Sequence, residues 1–278
     1  MTIDDALEYG RFHLPHSPSP LLDARLLLEH VLQVNHAYLI AHGDEVLTAV
    51  QETQFHTIIN RAQQQEPIPY ITGTAAFFDI DLFVTPAVLI PRPETEMLVE
   101  RVTEWIKERQ HASIVDVGTG SGCIPIALAR QFPQATISAV DISRDALQIA
   151  QKNAAKFSPN RIQFHQGHLL TPISHSVDLI TANLPYVTDT EWTLLDDGVK
   201  LHEPSLALRG GEDGLDLIRE LLQQAVSKLS ASGAIFLEIG WQQGPATKEL
   251  ASAVFPTAQI ELIRDYAGHD RIVGIALN

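Results

Sequence analysis

The fold is decided by Val115-Asp116-Val117-Gly118-Thr119-Gly120-Ser121-Gly122, a stretch in which an apolar strand ends in a glycine-rich turn. A helix is predicted to begin near Cys123, so the unpaired N–H groups of its first turn face the same loop. Glycines lack the Cβ atom that would keep a ligand away from the backbone. Asp141 closes the next apolar strand, where a carboxylate can accept hydrogen bonds from both hydroxyls of a ribose. The stretch therefore predicts a nucleoside-binding site.

The spacing of the glycines separates two classes of nucleoside cofactor. A dinucleotide fingerprint needs G-x-G-x-x-G, but its third glycine would fall at position 123, which is Cys123. The observed pattern is G-x-G-x-G, which is typical of S-adenosyl-L-methionine-binding folds, where no pyrophosphate is held. We therefore expect S-adenosyl-L-methionine as the cofactor and disfavour a nicotinamide dehydrogenase. The alternative is a glycine-rich turn that binds no ligand. It is less favoured because Asp116 and Asp141 occur together with the glycines, as a cofactor site requires.

Apolar strands alternate with helical stretches from Ser113 onwards. The strands are read at SIVDV, ATISAVD, RIQFH, VDLITAN, GAIFLEI, QIELI and RIVGIAL, and the clearest helices at Ser143 to Phe157 and Leu215 to Leu229. Such alternation predicts an α/β fold with a mostly parallel, doubly wound sheet. A short connection, Arg264 to Asp270, joins the last two strands, so we expect that pair to be antiparallel.

The first part of the chain instead has a sequence pattern that predicts helices. One helix is predicted after Ser19-Pro20, with an apolar face of Leu21, Ala24, Leu28, Val31 and Leu32. A second is predicted before Pro67, with Leu47, Val50, Ile58, Ile59 and Ala62. The segment Phe77 to Thr85 alternates apolar and acidic residues, which predicts a short strand or hairpin. We thus expect a helical domain at 1–75, a β-hairpin linker at 76–90 and the main domain at 91–278.

The composition indicates a folded protein, because 45% of the 278 residues are hydrophobic and 19% are charged. A single cysteine, Cys123, excludes an internal disulfide. The N-terminus lacks the apolar core of a secretory signal and no apolar run approaches the length of a membrane span, so we expect a cytoplasmic protein without a membrane partner. The net charge of −15 disfavours direct nucleic-acid binding. We also expect a monomer.

A second motif, Asn183-Leu184-Pro185-Tyr186, follows the apolar strand at 177–182 and so lies at its carboxyl end, the edge where open α/β sheets bind ligands. An amide or exocyclic amine is a poor nucleophile because its lone pair is delocalised, so an enzyme must hold that nitrogen with acceptors. Asn183 offers a side-chain carbonyl, and Pro185 restricts Leu184 so that its backbone carbonyl has a set direction. Tyr186 offers a flat apolar face. An ordinary strand-to-loop turn is the alternative.

With these motifs the chain resembles the release factor glutamine N5-methyltransferase family over essentially its whole length. The matching segments are Pro67-Ile68-Pro69-Tyr70-Ile71-Thr72-Gly73, Val88-Leu89-Ile90-Pro91-Arg92-Pro93-Glu94-Thr95-Glu96, Gly118 to Gly122, Asn183 to Tyr186, and Gly210-Gly211-Glu212-Asp213-Gly214-Leu215-Asp216. The resemblance implies a seven-stranded, Rossmann-like methyltransferase domain preceded by a small helical substrate-recognition domain and a β-hairpin. It also implies that the substrate is the glutamine of the Gly-Gly-Gln loop in peptide chain release factors.

The resemblance assigns roles to the motif residues. Cofactor contacts are expected from Gly118, Thr119, Gly120, Ser121, Gly122, Asp141 and Asn183, and substrate contacts, with the catalytic role, from Asn183, Leu184, Pro185 and Tyr186. The chain departs from the family pattern at two places. Leu184 stands where the family usually has proline, which should matter little for a backbone carbonyl. His168-Leu169 stands where an acidic residue commonly binds the adenine amino group, so that contact is weakened or passes to the backbone.

Other functions fit parts of the same sequence. N6 methylation of adenine in RNA or DNA needs the same acceptors, but the acidic net charge argues against it. A non-catalytic binding module with this fold is disfavoured by the intact motif at 183–186. We expect no metal site, because His165 and His168 lack a third ligand. Glu94, Glu96 and Glu100 fit a solvated helix start, whereas the resemblance offers Glu94 and Thr95 as residues that shape the site entrance. Cys123 fits a packed residue better than a nucleophile.

Overall fold

The computed structural model describes residues 1–109 and 111–277 of the chain. The helices are α1 Ile3–His13, α2 Pro20–Leu32, α3 His36–Ala41, α4 Ala49–Gln63, α5 Ile68–Thr72, α6 Pro93–Ile106, α7 Cys123–Gln131, α8 Arg144–Phe157, α9 Asp189–Leu194, α10 Asp197–His202, α11 Asp216–Ala225 and α12 Gly244–Val254. The strands are β1 Thr74–Phe77, β2 Ile80–Phe83, β3 Ser113–Val117, β4 Thr136–Asp141, β5 Ile162–Gln166, β6 Val177–Asn183, β7 Val187–Thr188, β8 Arg209–Gly211, β9 Leu229–Glu238, β10 Gln259–Arg264 and β11 Asp270–Ala276.

The chain divides into two compact units. The first comprises Met1–Thr74 and Asp196–His202, and the second comprises Ala75–Leu195 and Glu203–Asn278. We keep the division at 1–75, 76–90 and 91–278 as a proposal, and add that residues 196–202 belong to the helical unit although they lie far along the sequence. None of the helices in the described residues combines the length and the apolar character needed to cross a bilayer.

The helical unit packs around a core of its own, which includes Ile3, Leu27, Leu28, Phe55 and Ile59. Ser19 and Pro20 stand at the N-cap and first position of α2, as predicted. The predicted apolar faces were only partly right. Leu21 and Val50 are 52% and 67% exposed, because both lie in the first turn of their helices, where the chain enters from the surface, and Leu27 and Phe55 fill the core instead.

The second unit is built on a sheet in which, among the described residues, seven strands follow the order β10-β11-β9-β6-β3-β4-β5. The strands β5, β4, β3, β6 and β9 are parallel, whereas β11 runs antiparallel to both β9 and β10. Successive residues of β3 serve opposite faces: Ile114 packs with α6 and α7 in one apolar cluster, and Val115 packs with α11 in the other. The predicted doubly wound sheet with an antiparallel last pair is confirmed.

Two predicted elements have other limits in the structure. The helix expected at Leu215 to Leu229 ends at Ala225, and Leu229 already begins β9. Leu229 pairs with Val177 of β6, and the Val177 N–H donates to the Lys228 carbonyl. This pairing between distant segments overrides the local helical pattern. The predicted hairpin is present as β1 and β2, and it starts three residues earlier than expected, at Thr74.

Candidate active site

A cavity of about 310 Å³ lies at the carboxyl ends of β3, β4 and β6, the edge where parallel sheets bind ligands. It is lined by most of the predicted site residues: Gly118, Thr119, Gly120, Ser121, Asp141, His168, Leu169, Asn183, Leu184 and Pro185. Two predicted residues, Gly122 and Tyr186, are not in this lining. The cavity wall also contains Thr95, which the resemblance placed at the site entrance, and Arg92, Pro204 and Leu206, to which the sequence motifs assigned no contact.

The glycine turn is anchored from below and open on the cavity side. The N–H groups of Gly118 and Thr119 both donate to the Val140 carbonyl of β4, at 2.9 and 3.0 Å. A Cβ atom built on Gly120 would meet nothing within 4 Å, so a ligand can approach the backbone there. Gly122 has a different position, because it is the N-cap of α7 and packs against Ala150 of α8. The structure thus places it in the support of the turn.

Asp141 connects this turn to the end of β4. Its Oδ2 accepts from the Gly120 N–H at 2.9 Å and its Oδ1 accepts from the Ser143 N–H at 2.8 Å. Burial raises the pKa of Asp141, and the same backbone hydrogen bonds oppose that rise. Each carboxylate oxygen retains a second acceptor position, so Asp141 can hold the loop and accept hydroxyl groups from a ligand at the same time.

Asp116, at the end of β3, is wholly buried beneath the turn. Its Oδ1 accepts from the Thr181 hydroxyl at 2.8 Å. Burial raises the pKa of Asp116 to about 6, although the nearby Thr119 and Thr181 hydroxyls act in the opposite direction. The neighbouring Cys123 thiol is also buried, and burial raises its pKa to about 12. Since the thiol stays protonated at neutral pH, Cys123 is unsuited to act as a nucleophile.

Asn183 belongs to a buried chain of hydrogen bonds. It ends β6, and Glu238 ends the neighbouring β9 at the paired position. The Asn183 Nδ2 donates to the Thr95 hydroxyl at 3.1 Å, and that hydroxyl donates to Glu238 Oε2 at 2.7 Å. The sequence motifs assigned nothing to Glu238. The signal that could have found it is a carboxylate at the end of an apolar strand, which is the pattern that singled out Asp141.

The rest of the second motif is held by its backbone. Leu184 is buried, and a methyl of its side chain lies 3.1 Å from where a Cβ on Gly118 would stand. The Tyr186 carbonyl accepts from Gln243 Nε2 at 2.9 Å, and Tyr186 lines a neighbouring pocket together with Trp241. Burial raises the pKa of the Tyr186 hydroxyl to about 12. Tyr186 therefore lines the neighbouring pocket, whereas Asn183, Leu184 and Pro185 line the cavity.

The glycine-rich segment at 210–214 supports this motif from outside the cavity. A Cβ on Gly210 would stand 2.6 Å from the Pro185 carbonyl oxygen, and one on Gly214 would collide with the Tyr186 carbonyl. Strand β8, which contains Gly210, also pairs in parallel with β7 directly after the motif. Only residues without a side chain allow this close packing, and it sets the path of the backbone from Pro185 to Tyr186.

An ion pair joins two walls of the cavity. Arg92 donates to Glu203 Oε1 at 2.5 Å, and Glu203 Oε2 accepts from the Ile90 N–H at 3.4 Å. Glu203 is buried, whereas the Arg92 side chain is 34% exposed, so only the carboxylate end of the pair is shielded from solvent. Arg92 precedes α6, and Glu203 precedes the wall residue Pro204. The ion pair therefore holds the Arg-Pro-Glu-Thr-Glu segment against the 204–207 segment.

His168 and Leu169 close the cavity at the end of β5. The His168 Nε2 lies 2.8 Å from Glu220 Oε2, so the imidazole is engaged by α11. Leu169 is buried with φ of 50°, a left-handed conformation that a leucine adopts only where its surroundings enforce it. Within residues 1–109 and 111–277, no group of His, Cys, Asp and Glu side chains is arranged to hold a metal ion. Glu96 accepts from the Phe78 N–H at 2.6 Å, which is a structural role.

Comparison with known proteins agrees with this site. Residues 5–73 match the PrmC N-terminal domain family, and residues 108–206 match a methyltransferase domain family. The chain is 39% identical over 277 residues to the release factor glutamine methyltransferase of Koribacter versatilis, covering 98% of both chains. It is 41% identical over 254 residues to the enzyme of that name from Moorella thermoacetica, covering 91% of this chain and 89% of the relative.

A solved structure shows the same fold. The methyltransferase from Pyrococcus furiosus superimposes with a TM-score of 0.53 at 15% identity, covering 81% of this chain and 98% of that one. At this identity the likeness concerns the fold alone. The family follows from the relatives that align over nearly the whole length, together with the glycine turn and the Asn183 motif at one sheet edge. The chain belongs to the release factor glutamine methyltransferase family.

Proposed function

We propose that this protein transfers a methyl group from S-adenosyl-L-methionine to the side-chain amide nitrogen of a glutamine, in the Gly-Gly-Gln loop of a peptide chain release factor. The observation that carries the proposal is the orientation of Asn183. Its NH₂ group is bound by Thr95, which leaves its carbonyl oxygen as the group offered to the cavity. A carbonyl acceptor at that place suits a substrate that presents N–H groups.

The residues around the glycine turn fit the proposed cofactor. S-adenosyl-L-methionine, when bound, supplies a methyl group made electrophilic by a positively charged sulfur. The open backbone at Gly120 and the acceptor positions of Asp141 suit a ribose, and Gly118, Thr119 and Ser121 complete the wall beside it. The cavity volume of about 310 Å³ lies at the lower end of the range found for ligand sites. His168 and Leu169 would border the adenine.

Two acceptors would hold the glutamine amide. The Asn183 side-chain carbonyl and the Leu184 backbone carbonyl each take one N–H of the substrate NH₂ group, which fixes the nitrogen in the cavity. As the nitrogen gains a bond to carbon it becomes more positive, so acceptors already in place stabilise the transition state more than the ground state. Tyr186 and Gly122 support this arrangement from the second pocket and the α7 N-terminus.

The wider assignments follow the resemblance. We propose that the helical domain at 1–75 contributes to recognition of the release factor, that the protein acts as a monomer in the cytoplasm, and that it uses no metal ion. The net charge of −15 fits a protein substrate better than nucleic acid, because grip on a phosphate backbone depends on cationic side chains. Methylation of adenine in RNA or DNA remains the alternative to be tested.

The test is transfer of a labelled methyl group to a purified release factor. Asn183→Ala should lower the rate by about 10²–10³ while the protein stays folded, as expected for loss of one preorganised polar partner. Gln163→Ala removes an exposed amide on β5 and serves as the matched control, with an unchanged rate expected. Full activity of Asn183→Ala, or no labelling of the release factor by the wild type, would contradict the proposal.

A further inference from the structure

We propose that Thr95 and Glu238 are positioning residues that lock the Asn183 side-chain amide with its carbonyl oxygen, and not its NH₂ group, facing the substrate nitrogen. The inference rests on the proposed function, because it concerns the acceptor that holds the glutamine. Neither residue touches the reacting atoms in this account, and both act through Asn183.

An asparagine needs such a lock because its amide is nearly symmetric in shape. Rotation by about 180° around its last bond exchanges the oxygen and the NH₂ group without changing the space they fill. In one orientation Asn183 accepts from a substrate N–H. In the other it presents a donor to a donor and repels the substrate nitrogen. The orientation therefore decides whether the site works, and packing alone cannot select it.

The hydrogen-bond directions in the structure select one orientation. The single hydroxyl proton of Thr95 is donated to Glu238 Oε2 at 2.7 Å. The Thr95 oxygen is then an acceptor toward Asn183, and it receives Nδ2 at 3.1 Å. The chain ends on a carboxylate, which only accepts when it is ionised. Each step thus forces the next, and the Asn183 carbonyl is turned away from this chain.

Three separate elements place these side chains together and exclude solvent. Asn183 and Glu238 are paired positions at the ends of β6 and β9, and Thr95 lies in the first turn of α6 above them. Thr95 is 2% exposed and Glu238 is 1% exposed, so water does not compete for the hydrogen bond between them. The paired strand ends and the first turn of α6 hold the three side chains in fixed positions, as the lock requires.

A purely structural role explains Glu238 poorly. Burial of a carboxylate is costly, and burial raises the pKa of Glu238 to about 7. The charged groups that face it are Arg271 of β11, which favours its ionised form, and Glu94 of α6, which opposes it. The Thr95 and Asn183 side chains also favour the ionised form of Glu238, and Tyr186 and Cys123 lie close enough to interact with its charge. An apolar residue at this position would serve stability better.

Protonation of Glu238 should release the lock. A protonated carboxyl can donate to the Thr95 oxygen, and the Thr95 proton can then turn toward Asn183. Asn183 accepts that proton only with its carbonyl oxygen, which brings its NH₂ group to the cavity. The only proton gained is the one on Glu238, and no bond to carbon changes. Turnover should therefore fall on the acid side of neutral pH, although the substrate amide does not titrate there.

The experiment compares Thr95→Val, which keeps the shape without the hydroxyl, with Thr95→Ser, which keeps the hydroxyl. Thr95→Val should lower kcat about 10–100-fold with little change in cofactor affinity, and Thr95→Ser should return it to within about threefold of the wild type. The kcat of the wild type should fall as the pH drops through about 7, and Glu238→Gln should lose that fall because its side chain does not titrate. Equal rates for Thr95→Val and wild type, or an unchanged acid limb in Glu238→Gln, would overturn the proposal.

A second measurement needs no turnover and separates this inference from the proposed function. The side-chain amide signals of Asn183 are followed by NMR in protein made with isotope-labelled asparagine, and assigned by their loss in Asn183→Ala. They should shift as the pH passes through the range where Glu238 titrates, and stay constant in Glu238→Gln. Constant signals in the wild type would overturn the lock even if methylation occurs. Shifting signals in a protein that does not label a release factor would keep the lock and refute the substrate.

Discussion

The stability of the Glu238→Gln variant relative to the wild type should increase as the pH rises from 5 to 8. Burial raises the pKa of Glu238 from 4.5 to about 7, so between these values the folded state holds a proton that the unfolded state has released. Stability from this group is complete below the unfolded pKa and is lost as the pH rises through the folded one. Glu238→Gln has no such loss, because glutamine does not titrate.

The magnitude follows from the same values. At about 1.4 kcal/mol per pKa unit, the stabilisation by Glu238 that is lost between pH 5 and 8 amounts to about 2–3 kcal/mol. For a chain of this size, each kcal/mol shifts Tm by about 2–4 °C, so the Tm difference between variant and wild type should grow by about 4–12 °C. Titration of the other carboxylates affects both proteins alike and cancels in the difference.

The assay is differential scanning calorimetry of both proteins in matched buffers across that pH range. Glu249→Gln, which neutralises an exposed carboxylate on α12, is the matched control and should follow the wild type at every pH. A Tm difference between Glu238→Gln and wild type that stays flat, or that shrinks as the pH rises, would refute the reasoning that burial raises the pKa of Glu238 to about 7.

Three further outcomes are expected. Asp141→Ala should weaken S-adenosyl-L-methionine binding by about 1–3 kcal/mol in calorimetry, because it deletes a charged acceptor and frees the Gly120 N–H; unchanged affinity would exclude Asp141 as the ribose acceptor. His168→Asp should tighten cofactor binding by about 0.5–1.5 kcal/mol only together with Glu220→Gln, since Glu220 would repel the new carboxylate; no gain in the double variant would show that position 168 does not reach the adenine. Leu184→Pro should keep the methylation rate within about threefold and lower Tm, because the carbonyl stays and buried packing is lost; loss of activity in the folded variant would contradict the backbone role.

The parts of the site that the sequence predicted are those carried by short motifs at strand ends. The carboxyl ends of parallel strands meet at one sheet edge, so the glycine turn, Asp141 and Asn183 could be placed together from the strand order alone. Gly122 and Tyr186 share those motifs but are not in the cavity lining, since Gly122 packs against Ala150 and Tyr186 lines the neighbouring pocket. A motif identifies a location more reliably than it identifies which of its side chains face a ligand.

Contacts between distant segments could not be read from the sequence. Thr95 and Glu238 are 143 residues apart, and Arg92 and Glu203 are 111 apart, yet both pairs shape the cavity. The start of β9 at Leu229 has the same origin, since pairing with β6 overrides a helical pattern. Local sequence patterns do not identify these partners, because the residues come into contact only when the sheet forms.

The central claim is tested most directly by locating the transferred methyl group. A release factor is incubated with the enzyme and labelled S-adenosyl-L-methionine in the presence of ribosomal RNA, and both products are digested and examined by tandem mass spectrometry. We predict a single methyl group on the side-chain nitrogen of the glutamine in the Gly-Gly-Gln loop, and none on a release factor in which that glutamine is replaced by glutamate. Label on adenine in the RNA, or on any other residue of the release factor, would contradict the account.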